Sequence, residues 1–229
     1  MALDARPLAD AATGGGDGPR MIAVVLIAAA LHSVVAQGPL DTDVAAYDPG
    51  RTGVVSGRVY EERAKPTAPD RPVPTAVVWL VPRSETLLHR LNEIKEHGRD
   101  SMKAYRGAAA RIRREREQYE RVLWQAGGAD LVFQAQADAS GRFSFDHVPR
   151  GAWLVLGWRS VLFDAKTDRV PQRQWGTFAL APRLDRYQGI TVWLTEITVD
   201  EATPVTIELT DRNVWFTGVL EEMKPGASR

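Results

Sequence analysis

The chain contains no cysteine. That excludes a disulfide framework, a thiol nucleophile, thiolate metal sites and a lipidated cysteine anchor. An excess of charge is missing too. Lys plus Arg and Asp plus Glu number 29 each among 229 residues, a formal net charge of zero. A neutral chain has no global field to attract nucleic acid or an anionic membrane, and nucleic acid is not an expected partner. Residues 21–36 (MIAVVLIAAALHSVVA) form an apolar run. As a helix it is about 24 Å long, short of the roughly 30 Å hydrocarbon core of a bilayer.

That run ends in Val34-Val35-Ala36, small residues of the kind a signal peptidase accepts, and Arg20 precedes it. It reads as a secretory signal cleaved near Ala36-Gln37, which places the protein in the periplasm or outside the cell. The alternative is a membrane-anchored protein whose N-terminal helix stays uncleaved. Asp4, Asp10 and Asp17 outweigh Arg6 and Arg20 ahead of the run, which makes Met21 an alternative start. Residues 1–36 are thus a leader. Residues 37–52, polar and without a period, read as a linker.

Strand signals begin at Val54 and run to Tyr60, and return at 75–81 (TAVVWLV), where Pro82 stops them. Residues 65–74 between them are a proline-rich loop. Residues 84–126 differ in kind. Ser84 can cap a helix whose Leu87, Leu88, Leu91 and Ile94 share a face. Asp100 or Ser101 can cap a second helix with Tyr105, Ala109, Ile112, Tyr119 and Leu123 in one stripe, and Gly127-Gly128 ends it. Strand patterns resume at 131–137, 142–145, 152–158, 190–199, 205–209 and 214–220. Seven or eight short strands argue for a sandwich, and a helical hairpin interrupts it between the second and third. The hairpin is expected to hold itself together, and the sandwich to fold without it.

Four stretches carry a family resemblance: Gly53–Val59 (GVVSGRV), Pro72–Leu80 (PVPTAVVWL), Ala137–Phe145 (ADASGRFSF) and Val148–Leu154 (VPRGAWL). Together they resemble the carboxypeptidase regulatory-like, or transthyretin-like (prealbumin-like), domain. The resemblance implies a mainly β, Greek-key β-sandwich of about seven strands, here spanning 53–222 with the hairpin 84–126 inserted. It also implies a non-catalytic module. In the stretch DASGRFSFDHVPRG, Gly141 serves a turn and Phe143 and Phe145 face the core, each ring adding on the order of 2 kcal/mol by burial.

Chemistry-bearing constellations are sparse. His89, Glu93 and His97 are spaced i, i+4, i+8, a pattern of metal ligands, but they lie opposite the leucine face, where a solvated stripe explains them. Asp138 and Asp146 flank a strand with His147 adjacent, yet neighbours in a strand point to different sides. Ser144 lacks a nucleophile-elbow context. Asn213 near the last strand finds no lysine in the first strand for an isopeptide cross-link. No catalytic residue, metal site or cofactor is expected. The reading is a non-enzymatic binding or scaffolding module of the cell envelope, its partner a protein or carbohydrate. Contact surfaces are assigned to Arg106, Arg113 and Arg114 on the second helix and to Trp175 and Tyr187 in the 164–188 region, with self-association through the helical insert. Two alternatives stand: a carbohydrate-binding module, if its many tryptophans are exposed, and a hydrolase with its site in the 164–188 loop region.

Overall fold

The computed structural model describes residues 41–63, 68–164 and 183–224, with backbone alone at 183–185 and 222–224. The expected leader and Trp175 lie outside the described residues. The fold is mainly β, with two sheets and two helices. In the first sheet β1 (Thr52–Glu61) is central. It pairs antiparallel with β2 (Arg71–Pro72) and β5 (Arg142–Pro149), and parallel with β8 (Val205–Thr210). The second sheet comprises β3 (Val77–Pro82), β4 (Phe133–Gln136), β6 (Gly151–Asp164), β7 (Arg183–Val199) and β9 (Phe216–Lys224), in the order β4-β3-β6-β7-β9.

Period-two alternation decides what each strand buries. Val55 and Val59 of β1, Phe143 and Phe145 of β5, and Ile207 and Leu209 of β8 point inward. They meet Val78, Leu80, Trp153, Val155 and Trp193 of the second sheet in one core, so the two sheets form a β-sandwich. The indole N–H groups buried there are satisfied. Trp153 donates to Pro149 O at 2.9 Å and Trp193 to Thr210 O at 2.6 Å. Among the described residues there are nine strands, against the seven or eight read from the pattern. The short β2 falls inside the expected proline-rich loop, and Arg183–Gln188, placed in the expected 164–188 loop, belongs to β7.

The turn before β5 has a clear cause. Asp138 Oδ1 accepts from the N–H groups of Ser140 and Arg142 and from the Ser140 hydroxyl. Gly141 adopts φ +77°, and a Cβ there would stand 2.2 Å from Val59 O. Only glycine combines that backbone with that approach.

The helices are α1 (Glu85–His97) and α2 (Met102–Gln125). Ser84 Oγ caps α1 by accepting from Leu87 N, and Ser101 caps α2 by accepting from Ala104 N, each at 3.0 Å. Gly127, at φ +80°, follows the end of α2. The hairpin is not self-contained. Leu87, Leu91, Ile94, Ala109, Ile112 and Leu123 pack on Leu154, Leu156, Ile190, Val192 and Phe216 of the second sheet. The expectation of a hairpin that holds itself together apart from the sandwich is corrected. The second sheet is apolar on both faces, and the helices cover the face that the first sheet does not.

Part of the expected linker is also corrected. Asp41 accepts from Ser84 Oγ at 2.6 Å and from Thr86 N at 2.7 Å. The Tyr47 hydroxyl donates to Ala152 O at 2.6 Å, and its ring meets Trp153 edge-on at 5.0 Å. Residues 41–47 are a strap across the start of α1 rather than a loose connection.

Candidate functional site

The helices and the first sheet cover the inner part of the second sheet, whose β6 is exposed from Ser160 to Asp164, and the outward face of the first sheet is a bare β-surface. Register orders it into rows. Ser56 pairs with Ser144 on β5 and Thr206 on β8, and Arg58 with Arg142 and Glu208. These six alternate with the buried Val55, Phe143, Phe145 and Ile207, so they point away from the core. A row of short hydroxyl side chains therefore lies beside a row of long charged ones. Their difference in length makes a trough across the strands, part of a groove of about 630 Å³ that reaches over the β5 edge to Gln136. Gly57 lies between the two rows on the inner side. A Cβ there would stand 2.4 Å from the Phe143 ring and 2.5 Å from Ile207 O, so glycine is required for the three strands to close beneath the trough.

Part of the charged row is held in place. The Arg58 guanidinium lies 5.0 Å from the Tyr60 ring centroid, and its Nε donates to Ser140 O at 3.2 Å. The Tyr60 hydroxyl donates to Glu208 Oε2 at 3.1 Å. Desolvation first, and then the Glu208 carboxylate, raise the Tyr60 phenol above its ordinary value. Asp138 at the rim is held below the usual carboxylate range by the Arg142 N–H and then the Ser140 hydroxyl, so it stays ionised as the turn's acceptor. The Arg142 guanidinium and the hydroxyls of Ser56 and Thr206 make no hydrogen bond among the described residues. The trough thus offers donors and acceptors that folding has left free.

Of the five residues singled out in sequence, Trp175 lies outside the described residues and the other four do not come together. Arg106 pairs with Glu221 of β9 at 2.8 Å, and Arg113 faces Glu117 at 3.9 Å. Arg114 Nε reaches only its own helix, at Ala110 O, 3.4 Å away. Tyr187 stacks on Phe163 with ring centroids 5.1 Å apart, in the outer part of the β6–β7 pairing. Helix periodicity placed the three arginines on α2, whereas Tyr187, expected in a loop, lies on β7, and pairing across the fold decided the partners of each.

The other constellations resolve as follows. His89 lies 3.5 Å from Glu93, while His97 turns to Asp100 at 2.9 Å. Among the described residues no three potential ligands gather for a metal. The Ser144 hydroxyl lies 3.4 Å from Asp146 Oδ1, and no imidazole among the described residues is hydrogen-bonded to either. Asn213 serves the fold, because its amide donates to Glu208 O and accepts from Thr210 N, both at 2.7 Å, capping β8 as a neighbouring strand would. Trp153 and Trp193 are core residues, and Trp79, Trp158 and Trp215 pack beneath the helices. Trp124, 74% exposed at the end of α2, stands apart from them. The tryptophans described form no exposed platform.

No family model matches the chain, and no curated protein matches it. Among solved structures it is similar to a candidate carbohydrate-binding protein from Pseudomonas aeruginosa, at 15% identity and a TM-score of 0.38, covering 72% of this chain and 92% of that one. It is also similar to the pilus backbone of Streptococcus pneumoniae, at 10% identity and a TM-score of 0.25, over 70% of this chain and 41% of that one. A third likeness is to a minor pilin of Streptococcus agalactiae, at 11% identity and a TM-score of 0.27, over 78% and 99%. No helix among the described residues is long and apolar enough to cross a membrane.

Proposed function

We propose that the protein is an exported, non-catalytic binding module of the cell envelope, built on a transthyretin-like sandwich, with the trough on the first sheet as its ligand contact. The observation that carries this reading is the pair of rows Ser144–Ser56–Thr206 and Arg142–Arg58–Glu208, polar groups aligned by register, of which Arg142, Ser56 and Thr206 make no side-chain hydrogen bond among the described residues. Support for the sandwich type comes from the stretches that carry the resemblance, among them Gly53–Val59 on β1 and Ala137–Phe145 with the glycine turn at Gly141. Two guanidinium groups and three hydroxyls give the trough an excess of donors. It suits a hydroxyl-rich chain bearing carboxylates, and guanidinium–carboxylate pairing would orient such a ligand.

The test is calorimetric titration with acidic oligosaccharides, with acidic peptides as the second class. Arg142→Ala removes a guanidinium that makes no hydrogen bond among the described residues, though its charge acts on Asp138, and is expected to weaken binding about tenfold or more, as loss of a charge-assisted hydrogen bond does. Incubated ligand should be recovered unchanged. Binding that is absent from the wild type, or untouched by Arg142→Ala, would reject the trough as the site. Cleavage of the ligand would reject the non-catalytic reading.

A further inference from the structure

The two helices carry opposite charge on their outward faces. On α2, Lys103, Arg111, Arg114 and Arg121 are exposed on the side opposite the buried Ala108, Ile112 and Tyr119. None of the four is ion-paired among the described residues. The acids of α2 are engaged elsewhere: Glu115 with Arg90, Glu117 with Arg113 and Arg116, Glu120 with Arg116. The unpaired cations extend over about 27 Å of helix. On α1, Glu93 and Glu96 are exposed opposite Leu91 and Ile94. Glu93 faces only His89, and Glu96 has no partner among the described residues. The Arg90–Glu115 contact at 3.4 Å ties the helices side by side, so a basic face and an acidic face share one surface.

A surface with halves of opposite sign is complementary to itself about a two-fold axis, since the acidic half of each copy then meets the basic half of the other. We infer that the α1–α2 face binds a second copy of this chain, α1 of each against α2 of its partner. A zero net charge removes the long-range repulsion that would oppose such pairing. An extended polyanion would satisfy α2 but would run beside Glu93 and Glu96, whereas a second copy engages both helices. This inference is independent of the trough, which lies on the other sheet.

Sedimentation equilibrium of the full chain tests it. The wild type is expected to dimerise reversibly at low ionic strength and to dissociate as salt screens the contact. Arg111→Glu with Arg114→Glu sets two acids against Lys103 and Arg121 and cancels the charge of the α2 face, and Glu93→Arg with Glu96→Arg makes both outward faces basic, so in a mixture the first variant's acidic α1 meets the second's basic α2. Each double variant alone is expected to be weakened at least about tenfold as a dimer, while an equimolar mixture of the two recovers association. Thermal melts of each variant check that the exposed changes leave the fold intact. A wild type that stays monomeric at low salt overturns the inference, as does a dimer that neither variant nor salt affects. Failure of the mixture to recover overturns the two-fold arrangement. If the wild type is monomeric but binds phosphatidylglycerol-containing vesicles, and Arg111→Glu with Arg114→Glu abolishes this, the face belongs to a membrane.

Discussion

The hydroxyls of Thr42 and Tyr119 lie 2.8 Å apart in the interior, 77 residues apart in the chain. Tyr119 donates onward to Pro82 O at 2.9 Å, which leaves the Thr42 hydroxyl to donate to Tyr119, with Arg83 O 3.1 Å away as the alternative acceptor of the same proton. One small network therefore joins the strap before β1, the end of β3 and the middle of α2. Burial is the main cause that pushes the Tyr119 phenol well above its ordinary value, so it remains a neutral donor throughout the physiological range.

Tyr119→Phe keeps the ring in place but removes the hydroxyl, leaving Pro82 O without that donor. We expect a loss of about 1–3 kcal/mol, the cost of an unsatisfied buried group. Denaturant unfolding should show it as a lower midpoint with an unchanged slope. An unchanged midpoint would mean that the network contributes nothing.

Asp41 supplies an acid-sensitive element. Burial works to raise its carboxyl, but hydrogen bonds from the Ser84 hydroxyl and the Thr86 N–H outweigh burial and leave it below the ordinary value. A depressed folded-state pKa gives stability that is present above the unfolded value, about 3.9, and is lost as pH falls through the lower folded value. Melting temperature should therefore fall below about pH 4, and Asp41→Asn should flatten part of that decline. Equal acid limbs in the two proteins would remove Asp41 from the account.

Phe143 and Phe145 are 5% and 4% exposed, with ring centroids 5.9 Å apart. Truncating either to alanine should cost about 3–5 kcal/mol, the transfer term plus the cavity left behind. A cost below about 1 kcal/mol at both positions, measured by chemical unfolding, would contradict the core described for this sandwich.

Replacing residues 84–126 by a short glycine-containing turn should not leave a cooperative sandwich. It would expose Leu154, Leu156, Ile190, Val192 and Phe216 together on one sheet face. Such a patch favours aggregation or a loosely packed state. Dye binding, near-ultraviolet circular dichroism and a broadened melt would report it. A soluble, sharply melting product would restore the view of the hairpin as an appendage.

The turn Asp138–Arg142, the inward Phe143 and Phe145, the caps Ser84 and Ser101 and the stripes of both helices were all legible in the sequence. Each depends on neighbours within a few residues, where side-chain chemistry acts directly on the local backbone. The second face of the second sheet was less legible. Val192 and Leu194 alternate with Trp193 and Thr195, which reads as a half-buried strand until Trp193 is seen in one core and Val192 in the other. The trough was illegible for a related reason. Ser56, Ser144 and Thr206 each look like an ordinary outward polar residue, and only register sets them in one row. Local periodicity says which side of its own element a residue faces. What lies opposite that side is decided by strand pairing and helix docking between segments far apart in the chain.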